Sequence, residues 1–425
     1  MTSRFRLVLV AGCVTLAGCG DNFNAGPLKY VESELMTSDL KDKPALQQAV
    51  RETMAQLFGA DPQHIRVPAG TGLPGGGVYL GNYIQIGEGE NAPRKTAWIE
   101  FGGTNRAPYT ERQAGGYSLY RTHCLHCHGV SGAGDGPTAS FLYPRPRDYR
   151  KGLFKFTSTL AQNGIAKPTR DDLRKTIRQG LHGTSMPAFE PLMTEPEIEQ
   201  VIDYVVFLSI RGEVERGLIT EVAPFADEKT ATLPEDEVKG LVAKVAGNWK
   251  TAESLVFHPP VPRVEPTRAS VLRGRELFLG KTTHKLECTG CHGARAYGDG
   301  PSLVDQDVFN DVVFHGDPST EAERLAKYPD PVRELWSKSL DEWGRPLRPA
   351  NLNRGVYKGG RRPIDIFWRI SKGINGAKMP AHYPAVDGEK IWDIVNFVLA
   401  LPTEPALLDG ARLPGAPVTP AVANR

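Results

Sequence analysis

Two short stretches of the chain carry a pair of cysteines followed directly by a histidine. They are Cys124-Leu125-His126-Cys127-His128 and Cys288-Thr289-Gly290-Cys291-His292. Two thiols at this spacing can form thioethers with the two vinyl groups on one edge of a haem. The adjacent histidine then lies under the iron as its proximal ligand. The sequence therefore predicts two covalently attached haems c, each with its iron, held by Cys124, Cys127 and His128 and by Cys288, Cys291 and His292.

A structural zinc site built from both cysteine pairs is the alternative for these residues. The pairs lie far apart in the sequence and each has its own adjacent histidine, and both features favour haem. The other two cysteines, Cys13 and Cys19, lie near the N-terminus. They fall in a leader and at its end, so no cysteine is left over for a disulfide.

The similarity between the two halves extends beyond the cysteines, which indicates an internal repeat. Each half places a Met-Pro pair on a glycine-rich loop after an amphipathic helix, predicted at Arg170–Arg178 and Ile364–Lys372. The second half has about 39 more residues than the first, in an insert at 302–348 that either docks a partner or covers the haem edge. The matched stretches are Gly134–Pro137 with Gly298–Pro301, Pro146–Tyr149 with Pro349–Leu352, Gly152–Lys155 with Gly355–Lys358, and Gly180–Pro187 with Gly373–Pro380.

These motifs resemble those of the class I cytochromes c, specifically exported dihaem cytochromes with two such domains in tandem. The resemblance covers Gln113–Ile210 and Thr267–Pro402. It implies that Met186 and Met379 are the sixth ligands of the two irons, where a neutral thioether favours ferrous iron and raises the potential. The competing ligands are Met193, His182, His315 and His382.

The same resemblance implies how each half is built and how its proximal histidine is held. An opening helix carries a glycine, Gly116 or Gly274, at which it crosses a closing helix at short distance. The closing helices are predicted at Glu195–Leu208, with Thr194 and Glu197 as a capping box, and at Ile391–Leu401. By analogy, the carbonyls of Pro137 and Pro301 accept hydrogen bonds from the second ring nitrogens of the two proximal histidines.

The first residues form a predicted leader. Arg4 and Arg6 precede an apolar run from Leu7 to Ala17 that is too short to span a bilayer, which needs about 20 residues. The run ends in Leu16-Ala17-Gly18-Cys19, which resembles the bacterial lipobox. Cys19 is therefore the predicted lipidation site, and its acyl chains would give a stable anchor. An ordinary secretory signal cleaved nearby is the alternative.

The composition is that of a globular protein, with 40% hydrophobic and 24% charged residues. The formal net charge is +2, and removal of Arg4 and Arg6 with the leader leaves the mature chain formally neutral. No basic stripe is present, which argues against nucleic acid as a partner.

The expected fold class is mainly α, with two tandem class I cytochrome c domains whose helices and long loops wrap the haems, plus an uncharacterised N-terminal region. That region contains a predicted amphipathic helix at Pro44–Phe58 and two short strands within Val78–Ile86 and Thr96–Phe101. The predicted division is a leader at 1–18, a tether and N-terminal region at 19–107, the first cytochrome domain at 108–212, a linker at 213–266, the second domain at 267–403 and a Pro/Ala-rich tail at 404–425.

The function expected from these features is single-electron transfer on the periplasmic side of a bacterial membrane. The partners would be redox proteins, such as a quinol-oxidising complex and a terminal oxidase or other acceptor. The chain would act as a carrier or as a subunit of such a complex, with no catalytic residues of its own. The alternative is a dihaem enzyme, such as a peroxidase or a thiosulfate dehydrogenase. Such enzymes need an iron with an exchangeable or unusual ligand, which the paired methionines argue against.

Overall fold

The computed structural model describes residues 28–73, 83–85, 94–96, 115–161, 164–226, 231–284, 286–316 and 318–409. The predicted leader, Cys19 and most of the tail lie outside these ranges. The described part of the chain is mainly helical, which confirms the expected mainly α class. Its longer helices are α1 Leu35–Ser38, α2 Pro44–Phe58, α3 Gly116–His123, α4 Leu125–His128, α5 Arg170–Gln179, α6 Glu195–Gly217, α7 Glu235–Thr251, α8 Arg268–Phe278, α9 Cys288–His292, α10 Gln306–Phe314, α11 Glu321–Ala326, α12 Asp330–Lys338, α13 Pro363–Lys372 and α14 Gly388–Ala400.

Several single-turn helices lie between these elements. They are Ala139–Phe141, Tyr149–Lys151, Ala223–Phe225, Ala252–Leu255, Pro318–Thr320, Leu352–Arg354 and Pro405–Leu408, and a wider turn at Leu218–Val222 continues α6. Strands β1 Tyr83–Gln85 and β2 Arg94–Thr96 pair antiparallel, with Tyr83 opposite Thr96. They fall within or beside the two predicted strand segments, whose other residues lie outside the described ranges.

The N-terminal region packs onto the first half of the chain. Helix α2 has the predicted bounds, and its apolar positions are buried because they recur at helical spacing on one face. Phe58 at its end lies against Phe207 of α6, with ring centroids 5.9 Å apart. Ahead of α2, the ring of Tyr30 lies 3.9 Å below the guanidinium carbon of Arg211. Residues 28–58 and the first haem signature therefore share one hydrophobic core.

The segment predicted as a linker, 213–266, is largely folded onto that core. The closing helix α6 continues to Gly217 instead of ending near Leu208. Helix α7 fills Glu235–Thr251 of this segment, and Trp249 in its last turn is buried. The reason is that α7 has an apolar face at helical spacing, which α6 covers. The buried residues of this face are Val238, Leu241, Val242, Val245 and Ala246.

The second half has its own core, which runs from Phe257 to Leu408. Helices α8 and α14 cross in it as α3 and α6 cross in the first half. Leu407 and Leu408 are buried here, so the start of the predicted tail is packed. The 302–348 insert contributes α10, α11 and α12 with a small core of Val304, Phe309, Val312 and Trp336.

None of the helices in the described ranges is both long enough and apolar enough to cross a membrane.

Candidate functional site

Each cysteine–histidine signature lies on a single helical turn. In the first half, the amides of Cys127 and His128 donate to the carbonyl of Cys124, at 3.1 and 2.9 Å. Residues three and four apart on a helix share one face, so both cysteines and the histidine point to the same side. Helix α9 holds Cys288, Cys291 and His292 in the same way. None of these four cysteines forms a disulfide.

The backbone after each histidine makes the same turn in both halves. The carbonyl of His128 accepts from the amide of Gly134 at 2.9 Å, and that of His292 accepts from Gly298 at 2.9 Å. Gly134 and Gly298 have φ values of 69° and 79°, which glycine adopts without strain. A side chain at either position would meet the carbonyl of Pro146 or Pro349. The sequence repeat is therefore a repeat in conformation as well.

The second ring nitrogen of each predicted proximal histidine donates a hydrogen bond to a backbone carbonyl. The accepting carbonyl is not the one suggested by analogy. The Nδ1 atom of His128 lies 3.3 Å from the carbonyl oxygen of Arg147. That of His292 lies 3.3 Å from the carbonyl oxygen of Ala350. These acceptors occupy matched positions in the repeat, after Pro146 and Pro349.

The expectation for Pro137 and Pro301 is thus corrected. The amides of Gly136 and Gly300, just before these prolines, donate to the carbonyls of Cys127 and Cys291 at 3.2 and 3.1 Å. The Gly-Asp-Gly-Pro turn therefore folds back onto the signature helix, and the later Pro146 and Pro349 segments supply the carbonyls for the imidazoles.

The imidazoles are held in the form that binds a metal. A carbonyl oxygen can only accept, so Nδ1 carries the hydrogen and Nε2 keeps its lone pair. Burial lowers the pKa of His128 to about 4, and burial also lowers the pKa of His292. Both rings are therefore neutral at physiological pH, with Nε2 free to bind iron.

The surroundings of the cysteines do not fit the zinc alternative. A structural zinc site would need the two cysteine pairs to meet at one ion. Cys124 packs against the first core and Cys288 against the second. Among the described residues, no three His, Cys, Asp or Glu side chains come together as a metal site.

The two Met-Pro loops have the same closed form. The carbonyl of Met186 accepts from the amide of Leu181 at 3.1 Å, and that of Met379 accepts from Ile374 at 3.2 Å. Each loop starts at a glycine with positive φ, Gly180 or Gly373. A Cβ there would lie within 2.7 Å of the methionine carbonyl, so the closure needs glycine.

Each methionine packs on the same core as the cysteines of its half. Met186 and Cys124 contact the first core, and Met379 and Cys288 contact the second. Among the competing ligands, Met193 is also buried in the first core, with 5% exposure, whereas His182 and His315 are exposed and His382 is partly buried. Each half therefore contains a neutral imidazole, a thioether and two thiols, the groups by which a protein holds haem c.

Tyr149 is a site residue that the sequence analysis did not single out. Its ring stacks on His128, with centroids 4.7 Å apart and planes 22° from parallel. In the second half, the matched position is Leu352, and Phe278 instead lies 6.3 Å from His292. Tyr149 belongs to the matched Pro146–Tyr149 stretch, so its place in the repeat was the available signal.

Comparison with known proteins identifies a cytochrome c domain in the first half. Residues 111–205 match the family model described as Cytochrome C oxidase, cbb3-type, subunit III. This stretch contains Cys124, Cys127, His128 and Met186. Domains of this type carry haem c with its iron and transfer electrons.

Among solved structures, the chain is similar to the reducing HAO-like protein complex of Kuenenia stuttgartiensis. The identity is 23% and the TM-score is 0.43, over 67% of this chain and 94% of that chain. A search of curated proteins found no match.

Proposed function

We propose that this chain is a membrane-tethered dihaem cytochrome c that passes single electrons in a respiratory chain. It would act as a carrier or an electron-transfer subunit between a quinol-oxidising complex and a terminal oxidase or other acceptor. The observation that carries the proposal is the repeated pairing of an imidazole, hydrogen-bonded through Nδ1 to a carbonyl, with a closed Met-Pro loop on the same core.

Under this proposal, Cys124 and Cys127 attach one haem and Cys288 and Cys291 attach the other. His128 and Met186 would bind the iron of the first haem, and His292 and Met379 would bind that of the second. When bound, each haem supplies a ferric/ferrous couple. The polypeptide holds each imidazole neutral and oriented and supplies a soft thioether, which favours the ferrous state.

Two protein ligands per iron favour electron transfer over substrate turnover, because neither iron keeps an open position. Electrons would enter and leave through the haem edges, by contact with redox proteins. The lipobox-like sequence ending at Cys19 supports a lipid anchor on the periplasmic side of a membrane.

The haem content can be tested on the purified, denatured full-length protein by mass spectrometry. Two haem increments per chain are expected, and they should survive acid–acetone extraction because thioethers are covalent. A single increment, or haem that is extracted, would contradict the proposal.

The carrier function can be tested by the visible spectrum of the ferrous protein with and without carbon monoxide. Two six-coordinate irons should leave the spectrum unchanged, and turnover of peroxide or thiosulfate should be negligible. Stoichiometric binding of carbon monoxide at either haem would show an exchangeable position and would favour a dihaem enzyme instead.

A further inference from the structure

Four basic side chains come together where the two halves of the chain meet. This cation cluster consists of Arg147 and Lys155 from the first half, Lys358 from the second half and Arg345 from the insert. Lys155 and Lys358 occupy matched positions in the repeat. The NH1 atom of Arg345 donates to the carbonyl of Pro146 at 3.1 Å, which draws the insert against the first half.

The cluster has more positive than negative charge. Within the described ranges, the ion pairs of the cluster all go to Asp341 of the insert. Its Oδ2 atom lies 3.0 Å from Nζ of Lys155 and 3.7 Å from NH1 of Arg147. The side chains of Lys155 and Asp341 are only 9% and 6% exposed. Asp341 thus pairs with two of the four cations, and Asp135 and Asp148 also lie near Arg345.

Such an arrangement is costly without further anions, because buried charges need partners. This cost lowers the pKa values of the basic side chains. Burial and the neighbouring Arg147 lower the pKa of Lys155 to about 8 and lower that of Lys358. Burial also lowers the pKa of Arg345. Among the described residues, Lys358 and Arg345 form no ion pair, so the cluster keeps an excess of positive charge.

The cluster lies between the proposed iron ligands of the two halves. On one side, the carbonyl of Arg147 accepts from the imidazole of His128. On the other side, Trp343 of the insert stacks 3.8 Å from the guanidinium carbon of Arg147 and lies directly against Gly376. Gly376 belongs to the loop that carries Met379, and its carbonyl accepts from the amide of Glu342 at 3.2 Å.

We propose that the cation cluster binds carboxylates, and that these are propionates of the haems carried by both halves. This inference rests on the proposed function, which places a haem on each side of the cluster. Arginine and lysine bind carboxylates through charge-assisted hydrogen bonds, which are among the stronger polar contacts in proteins. Because cations of both halves contribute, the cluster joins the two haems in one electrostatic unit.

The consequence is a shared control of reduction potential. A positive charge near a haem disfavours the more positive ferric iron and raises the potential. Replacing Lys155 or Lys358 by Gln should therefore lower the potential, and each change should act on both haems. Lys155→Arg keeps the charge and should leave both potentials close to those of the unchanged protein.

The test is a spectroelectrochemical titration of the full-length haem-loaded protein. The control is Lys338→Gln, which removes the same charge from the insert at a side chain that is 61% exposed and paired with Glu334. Lys155→Gln and Lys358→Gln should each lower both potentials, and the control should lower neither. Unchanged potentials in both cluster variants would overturn the inference, as would shifts confined to one haem.

Two further measurements identify the anion and separate this inference from the proposed function. A soluble anion in the cluster would make the potentials depend on phosphate concentration at constant ionic strength, in the unchanged protein but not in the Gln variants. Propionates predict no such dependence, so observing it would overturn the inference. Haem content is measured by mass spectrometry: fewer than two haems refutes the proposed function itself, whereas two haems with unmoved potentials refute only the cluster.

Discussion

Gly116 of α3 lies directly on the carbonyl group of Gln200 in α6, so close that a Cβ atom there would clash with the carbonyl oxygen. Gly274 of α8 has the same relationship to the carbonyl group of Asp393 in α14. Glycine permits this approach because it has no side chain. The opening and closing helices of both halves therefore cross at a point that only glycine fits.

Replacing Gly116 or Gly274 by Ala should destabilise the protein. The added methyl group must push the helices apart, and overpacking of this kind typically costs about 1–3 kcal/mol. Thermal unfolding of the haem-loaded protein, followed by circular dichroism, should show a lower midpoint for each variant.

Gly240→Ala is the matched control for these changes. Gly240 lies in α7 with nothing within 4 Å of the position that a Cβ would take. Alanine is the better helix former there, by about 0.5–1 kcal/mol. The midpoint should stay the same or rise. A fall as large as that of Gly116→Ala would show that the crossing is not the cause.

Met186 and Met193 should respond differently to replacement by Ala. Loss of Met186 should lower the potential of the first haem and let it bind carbon monoxide, with the second haem almost unchanged. Met379→Ala should do the same to the second haem. Loss of Met193, a buried core side chain, should instead destabilise the fold by about 2–5 kcal/mol. The spectrum of the ferrous protein with carbon monoxide distinguishes the iron ligand from the core residue. If carbon monoxide changed the spectrum of Met193→Ala but not that of Met186→Ala, Met193 would be the ligand and Met186 the core residue.

Asp365 of α13 should make the stability depend on acidity. It lies 2.6 Å from Nζ of Lys175 in α5 and 2.9 Å from NH2 of Arg362, with its side chain 3% exposed. Burial alone would raise the pKa of Asp365, but hydrogen bonds from Arg362 and Lys175 outweigh it and hold the pKa below its usual value. The carboxylate therefore stabilises the folded state at neutral pH.

Asp365→Asn should cost about 1.5–3 kcal/mol at neutral pH, the range for hydrogen bonds to charged groups. Since the folded-state pKa is lowered, the stabilisation is complete above the unfolded value of about 3.9 and is lost as pH falls through the folded pKa. Urea unfolding should be measured at neutral pH and at a pH below the folded-state pKa. The difference in free energy of unfolding between the unchanged protein and Asp365→Asn should be smaller at the acidic pH. Glu334→Gln, in an exposed pair with Lys338, should have little effect at either pH. An equal gap at both pH values would contradict this account.

Cys19 should determine where the protein is found. Replacing Cys19 by Ser removes the predicted acylation site and should release the chain into the soluble periplasmic fraction. Cell fractionation with immunoblotting measures this, and Cys13→Ser inside the leader is the control that should stay with the membrane. If Cys19→Ser remains membrane-bound when no other subunit is present, the anchor lies elsewhere.

The local spacing of residues in the sequence was sufficient to predict many of the helices and turns of this protein. The helix at Pro44–Phe58 has its predicted bounds, because its apolar residues recur at helical spacing. The amide of Thr194 donates to Glu197 at 2.9 Å at the start of α6, as the capping box required. The matched glycines adopt matched backbone conformations, because the need for positive φ is a property of a few neighbouring residues. These features depend on chain segments of a few turns.

Long-range partners could be known only from the tertiary structure. The acceptor for His292 lies 58 residues further along the chain, and that for the Trp343 indole lies 195 residues earlier, at Asp148. An amphipathic helix such as α7 shows which face must be covered but not what covers it. Likewise, the sequence shows Lys155 and Lys358 as matched positions, whereas only the folded path of the chain brings their charges together. Contacts of this kind depend on how whole segments pack, and no local pattern encodes that choice.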